Sequence, residues 1–185
     1  MGAAVVKDMK DKMEKTIQHY KDELKTIRTG RASISMFDNI RVDYYGTPTP
    51  LSGVGTLSSP EPRLITVAPW DTSMINPIEK AIQNANMGFN PSNDGKIIRI
   101  PVPQLTEERR KDLVKHVKKV AEDTKVAIRN LRRESNDRIK KLEKDKEISE
   151  DDGKKFIEQI QTATDDFIKK VDVITGEKEK EIMEI

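Results

Sequence analysis

Three stretches of this chain each carry a single apolar stripe at helical spacing, and one unlike segment interrupts them. In the first stretch Met9, Met13, Ile17, Tyr20, Leu24 and Ile27 follow one another by three or four residues. That spacing places side chains on one face of a helix. In the second, Leu113, Val117, Val120, Ala127, Leu131 and Leu142 form a stripe, with Val114, Ala121 and Ile128 beside it. The third has Phe156, Ile160, Phe167, Val171, Ile174 and Ile182. A helix with one stripe cannot bury it alone, so the three predict a bundle in which the first helix packs on the other two. At about 1.5 Å per residue the second helix would run roughly 60 Å and the first roughly 37 Å.

The interruption has a different chemistry. All nine prolines fall between positions 48 and 103. Within it "IRVDYYG", "RLITVAP" and "GKIIRIPVP" group β-formers between turn residues and read as strands. Residues 74–86 read as one short helix, with Pro77 tolerated in its first turn. The expected organisation is α+β: residues 1–30 and 105–185 form a long three-helix bundle (domain I), and residues 31–104 form an inserted module (domain II).

The boundaries carry signals of their own. Gly30 lies just past the first stripe, where glycine commonly ends a helix, and Arg28 would sit in the last turn, where a cation suits the helix dipole. Thr106 followed by Glu107 and Glu108 reads as an N-cap with acids behind it. Ser149 with Asp152 resembles a capping box, although Gly153 is a poor helix former in that first turn. Two connections, "RTGRAS" and "PVPQLT", join the parts, the second stiffened by Pro101 and Pro103. Such a pair suggests a hinge of limited range.

Several function classes are disfavoured. There is no cysteine, which removes disulfides, thiolate metal sites and cysteine nucleophiles. His19 and His116 lie on charged helices and read as surface residues. Gly53 and Gly55 lack the Lys-Ser/Thr and helix of a phosphate loop. No catalytic residue, metal ligand or cofactor is therefore expected. The first 30 residues are too charged for a secretory signal, no apolar run reaches membrane-spanning length, and Val6 stands where a myristoylation site wants Ser or Thr. The expectation is a soluble cytoplasmic protein with no membrane partner.

The net charge of +2 is small, so attraction to nucleic acid would have to come from local sorting of charge. The second helix sorts it. With Leu131 taken as the core direction, Arg110, Lys111, Lys115, Lys118, Lys125, Arg129, Arg132, Arg133 and Lys140 fall in one sector, roughly 60° to 200° away. Glu122 is the acid within that sector, while the opposite flank mixes signs. Residues 149–185 compensate with six lysines against eleven carboxylates. A basic stripe on a rod fits a phosphate backbone, and a solubilising face would look similar. The mid-helix arginines favour phosphate, because their planar fork engages it with geometry lysine lacks. Few aromatics lie on the helix faces, so recognition of a folded duplex backbone is favoured over base stacking.

"IRTGRAS", "VDYYGTPTPL", "IEKAI", "GFNPSNDG", "LTEERRKDL", "AIRNLRRESND" and "DKEISEDD", in this order and spread over nearly the whole chain, closely resemble the ribosome recycling factor family. The resemblance implies an L-shaped monomer of roughly transfer-RNA dimensions, with a small β/α/β domain on a two-stranded hinge. It implies an activity in translation, without catalysis of its own: with elongation factor G and GTP, the family splits the post-termination ribosome into subunits. It implies that domain I contacts large-subunit ribosomal RNA through Arg110, Arg129 and Arg132, all within the basic sector. Lys118, Lys125 and Arg133 from the same sector, and Arg28 at the domain boundary, are further candidates. The hinge would comprise Gly30, Arg31, Ala32 and Ser33 on one strand and Pro101, Pro103, Gln104 and Leu105 on the other. The start "MGAAVV" departs from the family pattern. A non-ribosomal helical protein, such as a coiled-coil chaperone or nucleoid protein, would explain the helices but not the inserted module. An enzyme is opposed by the poverty of Cys and His.

Overall fold

The computed structural model describes all residues of the chain except Arg31, Asn86, Met87 and Ile185. In chain order its elements are α1 (Gly2–Lys25), β1 (Arg41–Tyr44), β2 (Thr47–Pro50), β3 (Gly55–Glu61), β4 (Leu64–Pro69), α2 (Ile75–Asn84), β5 (Ser92–Asn93), β6 (Ile98–Pro101), α3 (Glu107–Lys144) and α4 (Glu150–Met183). They form two compact units, Met1–Arg28 with Glu107–Ile185 and Thr29–Thr106.

In the helical unit each of α1, α3 and α4 packs on the other two. The α1 stripe is buried from Val5 through Met9, Met13, Ile17 and Tyr20 to Leu24. It meets Leu113, Val117, Val120, Ile128 and Ile139 of α3 and Ile160, Phe167, Val171 and Ile182 of α4. Burying one such side chain contributes about 1.5–3 kcal/mol, which is what holds three long charged helices together. The Tyr20 hydroxyl shares a hydrogen bond of 2.5 Å with that of Thr175, so the one polar atom of a fully buried ring is satisfied. Phe156 and Ile174 of the third stripe are only half-buried.

Two helix ends differ from expectation. α1 stops at Lys25, not near Gly30. The Thr26 hydroxyl donates to the Glu23 carbonyl at 2.7 Å, and the Ile27 N–H reaches back only to Leu24, so the last turn tightens and ends. Arg28 therefore lies beyond the helix, and the dipole argument for it fails. Gly30 does take the left-handed conformation, with φ +83°, but in the segment that follows. α2 covers Ile75–Asn84 within the expected 74–86, where Asn86 lies outside the described residues; a 3-10 turn, Thr72–Met74, precedes it.

α4 begins as its sequence suggests. The Ser149 hydroxyl accepts from the Asp152 N–H at 3.1 Å, and Glu150, Asp151 and Asp152 fill the first turn. Gly153 also has a reason to be small: it is buried, and a Cβ there would run into the Glu143 side chain of α3.

The second unit holds a two-stranded sheet, β1-β2, and an antiparallel four-stranded sheet ordered β3-β4-β6-β5. Tyr45 and Gly46, both with positive φ, make the two-residue β1-β2 turn that hairpin twist favours. β4 buries Ile65 and Val67 and β6 buries Ile98 and Ile100, the period-two alternation of a sheet with one covered face. Ile75, Ile78 and Ile82 of α2 join the same core, with Phe37, Ile40, Val42, Leu51 and Val54. Asp94 organises the β5-β6 turn: its carboxylate accepts from the N–H groups of Lys96 and Ile97 and from Arg99. Those donors hold its carboxyl well below the usual carboxylate range.

Candidate nucleic-acid interface

α3 is a 38-residue helix, about 57 Å long, so its side chains are spaced regularly along one continuous element. Its buried face runs through Leu113, Val117, Ala121, Thr124, Ile128, Ser135 and Ile139. The centre of that face is Ile128, whereas Leu131 is only half-buried. This rotates the expected wheel by about 60° and changes the setting of two arginines. Arg110 lies about five turns from Ile128 and shares its direction. It is buried, 9% exposed, and its Nε has no hydrogen-bond partner among the described residues. Arg132, which the wheel centred on Leu131 places about 100° from the core, is half-buried beside α4. Its Nη1 lies 3.5 Å from Gln161 Oε1, Gln161 in turn donates to Asp165 at 2.9 Å, and the Arg132 Nε is buried without a partner among the described residues.

The other cations divide into two groups. Lys115, Lys118, Arg133 and Lys140 are exposed and have no ion-pair partner among the described residues. Lys111, Lys125 and Arg129 face internal carboxylates: Lys111 pairs with Glu107 at 3.0 Å, Lys125 with Asp172 of α4 at 2.5 Å, and Arg129 with Glu122 at 3.1 Å. The flank facing α1 is committed differently. Arg138 donates to Asp8 at 2.6 Å, and Lys12 lies 3.6 Å from Glu134. Arg138 and Lys12 together lower the pKa of Asp8. One flank of α3 thus ties the bundle, and the other presents basic side chains outward. Asp172, Gln161 and Asp165 were not singled out from the sequence. The rotation of α4 against α3 decides which of its polar residues reach the cations, and one chain's periodicity does not fix that rotation.

Arg28 is exposed in the irregular segment after α1. Among the expected hinge residues, Arg31 lies outside the described residues. The Ala32 N–H donates to the Pro62 carbonyl at 2.7 Å, and the Val102 N–H donates to the Arg63 carbonyl at 2.8 Å. Pro101 pairs with Leu64 inside the sheet, and Ser33 precedes a 3-10 turn, Ile34–Phe37. Both connections are thus fastened to adjacent residues of the β3-β4 turn. Gly30 sits against the Leu105 side chain, 3.2 Å from where a Cβ would be, while Pro103 and Gln104 are exposed outside any strand.

Among the described residues no cluster of His, Cys, Asp and Glu could hold a metal ion, and no helix is long and apolar enough to cross a membrane. The molecule is a mixed helix-and-sheet protein, a long-helix bundle with a small β unit inserted, whose marked surface feature is the basic flank of one helix. A sequence profile for "Ribosome recycling factor" matches residues 20–183, and the chain belongs to that family. The ribosome-recycling factors of Trichlorobacter lovleyi and Myxococcus xanthus are 55% and 52% identical over the full length of both chains. That of Bdellovibrio bacteriovorus is 55% identical over 99% of this chain and 98% of its own. A solution structure of the ribosome recycling factor superposes with a TM-score of 0.74 at 38% identity, covering 100% of this chain and 98% of the other. The T. thermophilus ribosome recycling factor, from models with the E. coli elongation factor G bound to the E. coli post-termination complex, gives a TM-score of 0.62. It is 41% identical, with full coverage of both chains.

Proposed function

We propose that this protein acts in ribosome recycling: with elongation factor G and GTP it separates the post-termination ribosome into subunits, while α3 binds large-subunit ribosomal RNA. The observation that carries the RNA contact is the row of exposed cations on the outward flank of α3 without ion-pair partners among the described residues, Lys118 and Arg133 included. Phosphate oxygens would supply the charge that row lacks. Arg129 and Arg132 extend it towards α4, Lys125 joins once its carboxylate is displaced, and Arg28 is a further contact. Arg110 contributes through the small part of its guanidinium that reaches the surface.

The chain itself supplies no chemistry in this reading. Elongation factor G hydrolyses the GTP, and the recycling factor, a monomer in the cytoplasm without cofactor or metal, transmits force. Residues 1–30 and 105–185 act as the anchored domain and residues 31–104 as the moving one. Their pivot is the segment containing Gly30, Arg31, Pro103, Gln104 and Leu105. The fastening of Ala32 and Val102 to the β3-β4 turn supports this, because it makes the second unit move as one body up to that segment.

Light scattering by post-termination ribosomes tests the function. Scattering should fall to the level of separated subunits when the protein, elongation factor G and GTP are all present, and hold steady when any one is left out. Unchanged scattering with all three would overturn the reading.

A further inference from the structure

Two cations of the α3 flank meet carboxylates, and the members of each pair are held unequally. The Lys125 side chain is only 20% exposed, whereas its partner Asp172 is 57% exposed. The Arg129 side chain is 39% exposed, and its partner Glu122 is 61% exposed. In each pair the acid is the more exposed member and has the greater freedom to swing into water. Arg132 differs, because its contact is the neutral amide of Gln161. An arriving phosphate would therefore find Arg132 with its full charge, but would have to displace a carboxylate to reach Lys125 or Arg129.

We infer that Glu122 and Asp172 are built-in counter-ions that restrain the affinity of α3 for RNA by competing with phosphate for Arg129 and Lys125. This rests on the reading of α3 as the RNA-binding face and adds a regulation to it. The competition has a specific physical signature. Phosphates carry condensed cations that are released when a protein cation neutralises them, and the affinity falls steeply with salt. Where that cation is taken from a tethered carboxylate, the carboxylate keeps its negative charge beside the phosphate and holds back cations from solution, so the net release and the slope are smaller. A factor that must leave the particle it dismantles gains from contacts it can hand back to its own side chains.

The test uses the full-length protein and vacant large ribosomal subunits. Glu122→Gln and Asp172→Asn keep size and remove charge. Each should tighten binding about two- to fivefold at low salt, as expected for the loss of an exposed competing ion pair. Each should also make the plot of log affinity against log salt steeper, by up to about 0.7–0.9. In a Lys125→Met background the effect of Asp172→Asn should vanish, while that of Glu122→Gln should remain. The inference is overturned if both acid variants bind no more tightly than the parent, or if the gain from Asp172→Asn survives without Lys125. Lys118→Ala and Arg133→Ala, measured alongside, separate the two levels. If they weaken binding while the acid variants do nothing, only the restraint falls. If they also leave binding unchanged, the RNA-binding reading falls with it.

Discussion

The backbone N–H of Glu147 donates to the carbonyl of Leu142 at 2.9 Å, across the C-terminal end of α3. One residue earlier the Lys146 N–H donates to Glu143 at 3.0 Å, and Lys146 has φ +59°. These paired bonds make a Schellman cap with lysine where glycine is the usual occupant. A lysine there bears a steric cost that glycine would not, so Lys146→Gly should stabilise the helical unit by about 1 kcal/mol. Urea unfolding at pH 7 measures this; a lower midpoint in the variant would contradict it.

Asp94 is expected to stabilise the second unit in a pH-dependent way. Its carboxyl is held well below the usual carboxylate range by the N–H of Ile97, Arg99 and the N–H of Lys96. A depressed folded pKa means that the contribution is fully present above the unfolded value and is lost as pH falls through the folded one. Asp94→Asn should therefore lower the melting temperature at pH 7, and the gap from the parent should narrow as pH falls below about 4. A gap that stays constant from pH 7 to pH 3 would rule out this role.

Much of the fold follows from patterns that local physics enforces. Ser149 is a cap because its hydroxyl meets the Asp152 N–H wherever a helix starts there. The α1 stripe is buried because nothing but other stripes can cover it. β2, "TPTP", was not among the strands read from the sequence: proline is rare inside sheets, yet β2 belongs to a two-stranded sheet with β1, where a missing N–H can face away from the ladder. β3 was hidden in the same way by Pro60, near its irregular pairing. The basic flank was visible as a sorting of charge, but its rotation was not. Centring the wheel on Leu131 put Arg110 outside the core, because charge was weighed and the depth of packing at Ile128 was not. A long side chain can bury its stem and remain charged, so residue type alone did not separate Arg110 from Arg133.

Gly30 offers a test of the pivot. Any side chain there must adopt φ +83° and press on Leu105. Gly30→Ala should cost about 1–2 kcal/mol of local strain. On the proposed mechanism the variant should still bind ribosomes within a few-fold of the parent, as its cations are untouched, but should split them more slowly. Binding and splitting lost in equal proportion would point to misfolding and not to the pivot.

The central claim is that the outward flank of α3 binds RNA while the α1-facing flank holds the bundle. Titrating vacant large subunits with the parent, Arg132→Ala, Arg133→Ala and Arg138→Ala over a series of salt concentrations tests it most directly. Arg132→Ala and Arg133→Ala should each weaken binding by about 1.5–3 kcal/mol and make the log–log salt slope shallower by roughly one. Arg138→Ala, which loses its 2.6 Å bond to Asp8, should lower the melting temperature and leave the slope where it was. Slopes and affinities equal to the parent's in both Arg132→Ala and Arg133→Ala would show that the basic flank is only a solvated face.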